Sequence, residues 1–100
     1  MFHCTILYAL RPGVALGQVR AARESLQSLV ETLPGVEHFV VTHNLAPESG
    51  GFNLVLFSAF TDRVACDIFL RHDEFARVHA EELDPVVSRR IVALGDDASG

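Results

Sequence analysis

Lysine and tryptophan are absent from the 100 residues, tyrosine occurs once and cysteine twice. Each scarcity excludes something. Two cysteines, Cys4 and Cys66, are too few for a disulfide framework and do not form a Cys-x-x-Cys pair, so each reads as a small buried apolar residue. All eight basic residues are arginine, spread along a chain of net charge -5. With no basic stripe, no nucleic-acid partner is expected. No apolar run approaches the roughly 20 residues that span a bilayer, so no membrane partner is expected either. The chain opens directly on a strand pattern, without a basic leader or a small-residue cleavage site, and a cytoplasmic location is expected. The five histidines lack His-x-x-x-His spacing or a cysteine companion, so no metal and no cofactor are expected. A phosphate-cradling glycine pattern and a serine nucleophile elbow are also missing.

Against these absences stands an apolar content of 49% with 21% charge. That balance belongs to a globular domain. The apolar share is high for a single chain of this size to hide, a first hint of a partner subunit. One domain over residues 1–95 and a polar tail over 96–100 are expected.

Residues 2–10, FHCTILYAL, read as a strand. Alternation puts His3, Thr5, Leu7 and Ala9 on one face and Phe2, Cys4, Ile6, Tyr8 and Leu10 on the other. Arg11-Pro12-Gly13 breaks it. Helical spacing of Leu16, Val19, Leu26, Leu29, Val30 and Leu33 predicts a helix over 16–33, ended by Pro34-Gly35. VEHFVVTH (36–43) and FNLVLFSAF (52–60) read as strands around a Pro/Gly-rich loop. Both faces of the latter strand are apolar, so the sheet should be covered on both sides. Thr61 fits a helix N-cap. A short helix over 62–71 meets a second helical run from about 73 to 87, loosened by Pro85, and RRIVAL (89–94) is a last strand. The order β-α-β-β-α-β predicts an α+β, ferredoxin-like four-stranded antiparallel sheet. Helices cover one face. A homodimer, with two sheets packed face to face as a barrel, would cover the other.

Four stretches in this order resemble the stress-responsive dimeric α/β-barrel (Dabb) family. They are the first strand with RPGV (11–14), LPGVEHFVVTHNLAPE (33–48), FNLVLFSAFTD (52–62) and FLRHDEFARVHAEELDPVV (69–87). The resemblance spans nearly the whole chain. It implies a dimer and cofactor-free chemistry where the members are enzymes, which include a polyketide cyclase. Other members are stress-induced proteins. In the cyclase-like members the pocket lies between sheet and helices and uses histidines on the first and third strands, with a tyrosine and a histidine near a His-Pro-x-His turn. Carried over, His3 matches the first-strand histidine and His72 the first histidine of the turn. Asn53 stands at the third-strand histidine, Phe69 at the tyrosine, Asp73 at the proline and Phe75 at the second histidine.

Candidate roles follow. His3 is a candidate acid-base group, expected to point toward the helices with Thr5 and Leu7. Asn53 can orient a ligand carbonyl but cannot carry a proton. His79 lies one helical turn beyond Phe75 and two beyond His72, so it can lean into the space the missing histidine would fill. His72 can equally be a structural histidine at a helix junction. Phe69 and Phe75, with Thr5, would line the substrate space. Tyr8, on the face opposite His3, is expected to pack between subunits. Two functions stay open. One is a small cofactor-independent enzyme doing cyclisation, isomerisation or lyase-type chemistry on an apolar, carbonyl-rich molecule, with His3, His72 and His79 catalytic. The other is a non-catalytic dimeric binding or structural protein. A cofactor-free monooxygenase of the same barrel superfamily is a further enzyme alternative. A cavity around His3 would favour the enzyme; a space filled by Phe69, Phe75 and leucines would not.

Overall fold

A computed structural model describes residues 1–31 and 33–97. Thr32, inside the expected helix, and residues 98–100 of the expected tail lie outside the described residues. The elements are β1 (Phe2–Leu10), α1 (Leu16–Ser28) with a 3-10 turn (Leu29–Glu31), β2 (Val36–His43), β3 (Leu54–Phe60), α2 (Arg63–Leu70), α3 (Asp73–Val78), a π-helical turn (His79–Leu83) and β4 (Val87–Asp96). The sheet runs β2-β3-β1-β4 with every neighbouring pair antiparallel. This is the expected ferredoxin-like arrangement, with its second helix in pieces.

Register fixes which residues share a face, because directly opposed side chains point the same way. Cys4 faces Ser58 and Leu94, Ile6 faces Leu56 and Val92, and Tyr8 faces Leu54 and Arg90. On the other face His3, Ala59 and His38 form one row, and Thr5, Phe57 and Val40 the next. The helices cover the β1 and β3 part of the first set, since Phe2, Cys4, Ile6, Tyr8, Leu54 and Leu56 belong to the buried core, whereas Val92 and Leu94 on β4 stay half exposed. The expectation that His3, Thr5 and Leu7 point toward the helices is therefore reversed, as is the placing of Tyr8 between subunits. The physical reason is parity. Side chains alternate with a period of two, and the helices close over the row that removes more apolar area from water. Phe2, Ile6 and Tyr8 outweigh His3 and Thr5.

The core stripe of α1 is Val19, Ala22 and Leu26, continued by Leu29. Leu16, expected in that stripe, is instead 76% exposed at the helix start. Beyond the helix, Gly35 has φ +83°, and a Cβ there would meet the Ala65 Cβ at 2.7 Å. Both the left-handed backbone and the close approach of α2 require glycine. The N-cap of α2 is Asp62, whose carboxylate accepts from the Ala65 N–H at 2.9 Å, rather than Thr61. Thr61 is still tied to the strand end, donating its N–H to the Gly35 carbonyl at 3.0 Å. β3 starts at Leu54 rather than at 52, and β4 runs from Val87 to Asp96, longer than the expected 89–94. Asp97, in the expected polar tail, takes hydrogen bonds from the N-terminal amine and the His3 ring, both at 2.7 Å. That contact clips the end of β4 to the start of β1.

Candidate functional site

The space between sheet and helices is the first place to look. It is occupied by packed aromatic rings. Phe69 lies 5.5 Å from Phe39, 5.4 Å from Phe60 and 4.9 Å from Phe75, centroid to centroid. All four are buried, and their tilted geometry is that of favourable aromatic pairs. Phe69 and Phe75, expected to line a substrate space, fill it instead. The depressions beside α1, beside α2, on the far sheet face and beside the π-helical turn are not lined by any of these four rings.

At the edge of the cluster His79 turns inward. Its ring packs at a tilt against Phe75, 4.2 Å between centroids, and is 5% exposed. Nδ1 lies 2.9 Å from the Phe75 carbonyl and Nε2 lies 2.8 Å from the Tyr8 hydroxyl. A carbonyl can only accept, so Nδ1 carries the proton and bare Nε2 accepts from Tyr8. The surroundings reinforce this neutral state. Burial lowers the His79 pKa; the Phe75 carbonyl works against that shift, and the Arg90 charge adds to it. Burial likewise pushes the Tyr8 hydroxyl well above its ordinary range. Neighbouring backbone at His79–Leu83 forms a π-helical turn, closed by the Asp84 N–H on the His79 carbonyl at 2.8 Å. Such turns recur at functional sites. Here the turn seats His79 against Tyr8. Sequence reasoning missed Tyr8 because it assigned the wrong strand face. The comparative bulk of the Phe2, Ile6 and Tyr8 row was the signal that could have found it.

The other candidates are dispersed. His72 caps α3, its Nδ1 accepting from the Glu74 N–H at 3.1 Å, at the junction between helical pieces. Asn53 is exposed, and its carbonyl oxygen accepts from the Leu10 N–H at 3.0 Å. His3 opposes Ala59, six residues along from Asn53. At ~3.4 Å per residue the two are roughly 20 Å apart. They do not form the pair of proton shuttle and carbonyl donor expected from the sequence. His3 and Thr5 instead line an open depression of about 400 Å³ on the uncovered sheet face, with His38 and Phe57. There the Asp97 carboxyl, hydrogen-bonded by the N-terminal amine and then by His3, is lowered to about 2.

Cys4 and Cys66 are buried, and burial raises both thiols, Cys66 to about 12. Neither is a thiolate at neutral pH, and neither is poised as a nucleophile. Among the described residues no group of three or more His, Cys, Asp or Glu side chains is placed to hold a metal ion. No helix there is long and apolar enough to cross a membrane.

This architecture agrees with a match over residues 2–93 to the family model of the Stress responsive A/B Barrel Domain, Dabb. The chain belongs to that family. Among solved structures it is similar to an Arabidopsis thaliana protein, at 15% identity and TM-score 0.86, over 100% of this chain and 98% of that one. It is similar to the hydroxynitrile lyase from Passiflora edulis, at 14% identity and TM-score 0.80, over 97% and 94%. A dimeric ferredoxin-like protein of unknown function from Jannaschia sp. matches at 18% identity and TM-score 0.80, over 95% and 97%. At these identities the likeness is one of fold. The chain matches none of the curated proteins in sequence.

Proposed function

We propose that the chain acts as a homodimer, two uncovered sheet faces packed into a barrel, and that it is a binding protein rather than an acid-base enzyme of the cyclase kind. One observation carries the second half. The layer where a substrate would sit holds Phe69 and Phe75, with Phe39 and Phe60 packed against Phe69. The dimer is supported by the open face itself: Phe57 is 45% exposed and Ile91 49% on a sheet surface that water would otherwise wet. Similar folds described as dimeric add to it. In the barrel, the depression lined by His3 and Thr5 would face the second copy. A cytoplasmic location belongs to the same proposal.

A second reading keeps the enzyme. Tyr8 donating to a neutral His79 Nε2 is an acid-base pair in form, and the fold resembles a hydroxynitrile lyase. Tyr8, however, is fully buried, and both His79 nitrogens are occupied. Incubation with a cyanohydrin such as mandelonitrile separates the readings. The binding reading expects no release of cyanide above the uncatalysed rate. Release by the wild-type chain that is lost in Tyr8→Phe would overturn it in favour of the lyase.

A further inference from the structure

We propose that Arg20, Arg23 and His43 form a binding site for a small organic carboxylate with an apolar tail. The three side chains line one depression of about 270 Å³ between α1 and the end of β2, together with Leu16 and Val19. Arg20 and Arg23 are three apart on α1, so their stems rise on the same side of the helix. Arg23 is half-buried, Arg20 exposed. Neither guanidinium has a carboxylate partner or a hydrogen bond among the described residues.

Arg71 and Arg90 likewise show no side-chain partner among the described residues, but Arg20 and Arg23 are a pair that shares one depression. The chain carries 13 acidic residues against eight arginines. Arg63 and Arg77 have carboxylate partners, and Arg11 and Arg89 bond carbonyl oxygens. Two adjacent unpaired guanidinium groups repel each other, and an anion between them relieves that repulsion. A carboxylate fits the planar fork of arginine, two oxygens to two N–H groups. The start of α1 adds to the positive field, because its first turn holds no acidic residue.

The floor and rim explain the tail. Val19 is buried beneath the depression, and Leu16 stands 76% exposed at its edge. An exposed leucine beside two unpaired arginines offers an apolar contact next to a cationic one. His43, on the helix side of β2, closes the third side with a further donor or acceptor. The volume suits a molecule smaller than a drug-sized ligand, for which pockets of about 300–1,000 Å³ are usual.

This assignment deepens the binding reading and rests on it for its class. Its geometry is independent of the dimer, because the site lies on the helix side of the sheet. The test is an amide chemical-shift titration of the isotopically labelled full chain with hexanoate, with hexanamide and with inorganic phosphate. Saturable shifts confined to residues around 16–23 and 43 are expected with hexanoate. Hexanamide should leave those amides unmoved, and phosphate should move them more weakly. The double variant Arg20→Gln/Arg23→Gln should weaken hexanoate about ten-fold or more, the scale of lost charge-assisted hydrogen bonds, with an unchanged melting temperature. Equal binding of hexanamide, or hexanoate affinity untouched by the double variant, would overturn the site. Phosphate binding as tight as hexanoate would overturn the apolar tail. A chain that binds hexanoate here while remaining monomeric would leave the site standing and remove the dimer.

Discussion

The two faces of one sheet make the sharpest contrast in this molecule. On the helix side Tyr8, Leu54, Leu56 and Phe60 are wholly excluded from water. On the opposite side of the same strands Phe57 is half exposed, and His3 and Thr5 rim an open depression. Both faces are apolar; on β1 and β3 only one has a cover, while on β4 Val92 and Leu94 of the helix side are as exposed as Ile91 of the other. The difference separates two questions that the histidines alone had run together. The covered face is a solved packing problem, with its polar groups bonded to each other. The open face still has apolar area to bury, and a second copy of the same face is the economical way to bury it.

Substitutions can break that contrast on the covered side. The largest effect is expected for Phe69→Ala. The ring touches three other phenylalanines, so its loss should leave a cavity and cost about 3–5 kcal/mol in urea unfolding. Tyr8→Phe should cost less, about 1–3 kcal/mol, because it strands the buried His79 Nε2 without a donor. The same histidine gives the covered face a pH signature. Its folded pKa lies below the ordinary 6.5, so the unfolded chain binds the proton more tightly. Stability should be full above pH 6.5 and should fall as the pH drops through and below that value. Denaturation midpoints of wild-type and His79→Leu measured from pH 7.5 to 5 should converge toward the acid end. A decline equally steep in the variant would assign it to other groups. The smallest effect is expected for Asn53→Ala. It removes one exposed hydrogen bond to the Leu10 N–H, at the lower end of about 0.5–1.5 kcal/mol.

Much of the fold was legible. Alternation delimited β1 and β2, the Pro34-Gly35 stop lies just past the end of α1, and the element order gave the topology. What alternation does not encode is which face the helices choose. Strand β1 is apolar on both sides, so the sign of its parity rested on the placing of His3, and that placing was wrong. The error moved every site residue on the strand. His3 and Thr5 went to the open face, and Tyr8 went to His79. Helix-borne expectations fared differently, because helical spacing fixes neighbours within one element. His79 does pack against Phe75, one turn away, and His72 does hold a helix junction. Asn53 and His3 failed as a pair for a simpler reason, since they sit at opposite ends of neighbouring strands.

In the proposed dimer the uncovered sheet face is closed by a second copy. Sedimentation equilibrium on the wild-type chain and on Phe57→Asp tests it most directly. Twice the chain mass of 10.9 kDa is expected for the wild type, and a folded single chain for the variant, whose new charge cannot enter an apolar interface. A wild-type chain that sediments as a monomer at tens of micromolar, or a Phe57→Asp variant that stays dimeric, would contradict it.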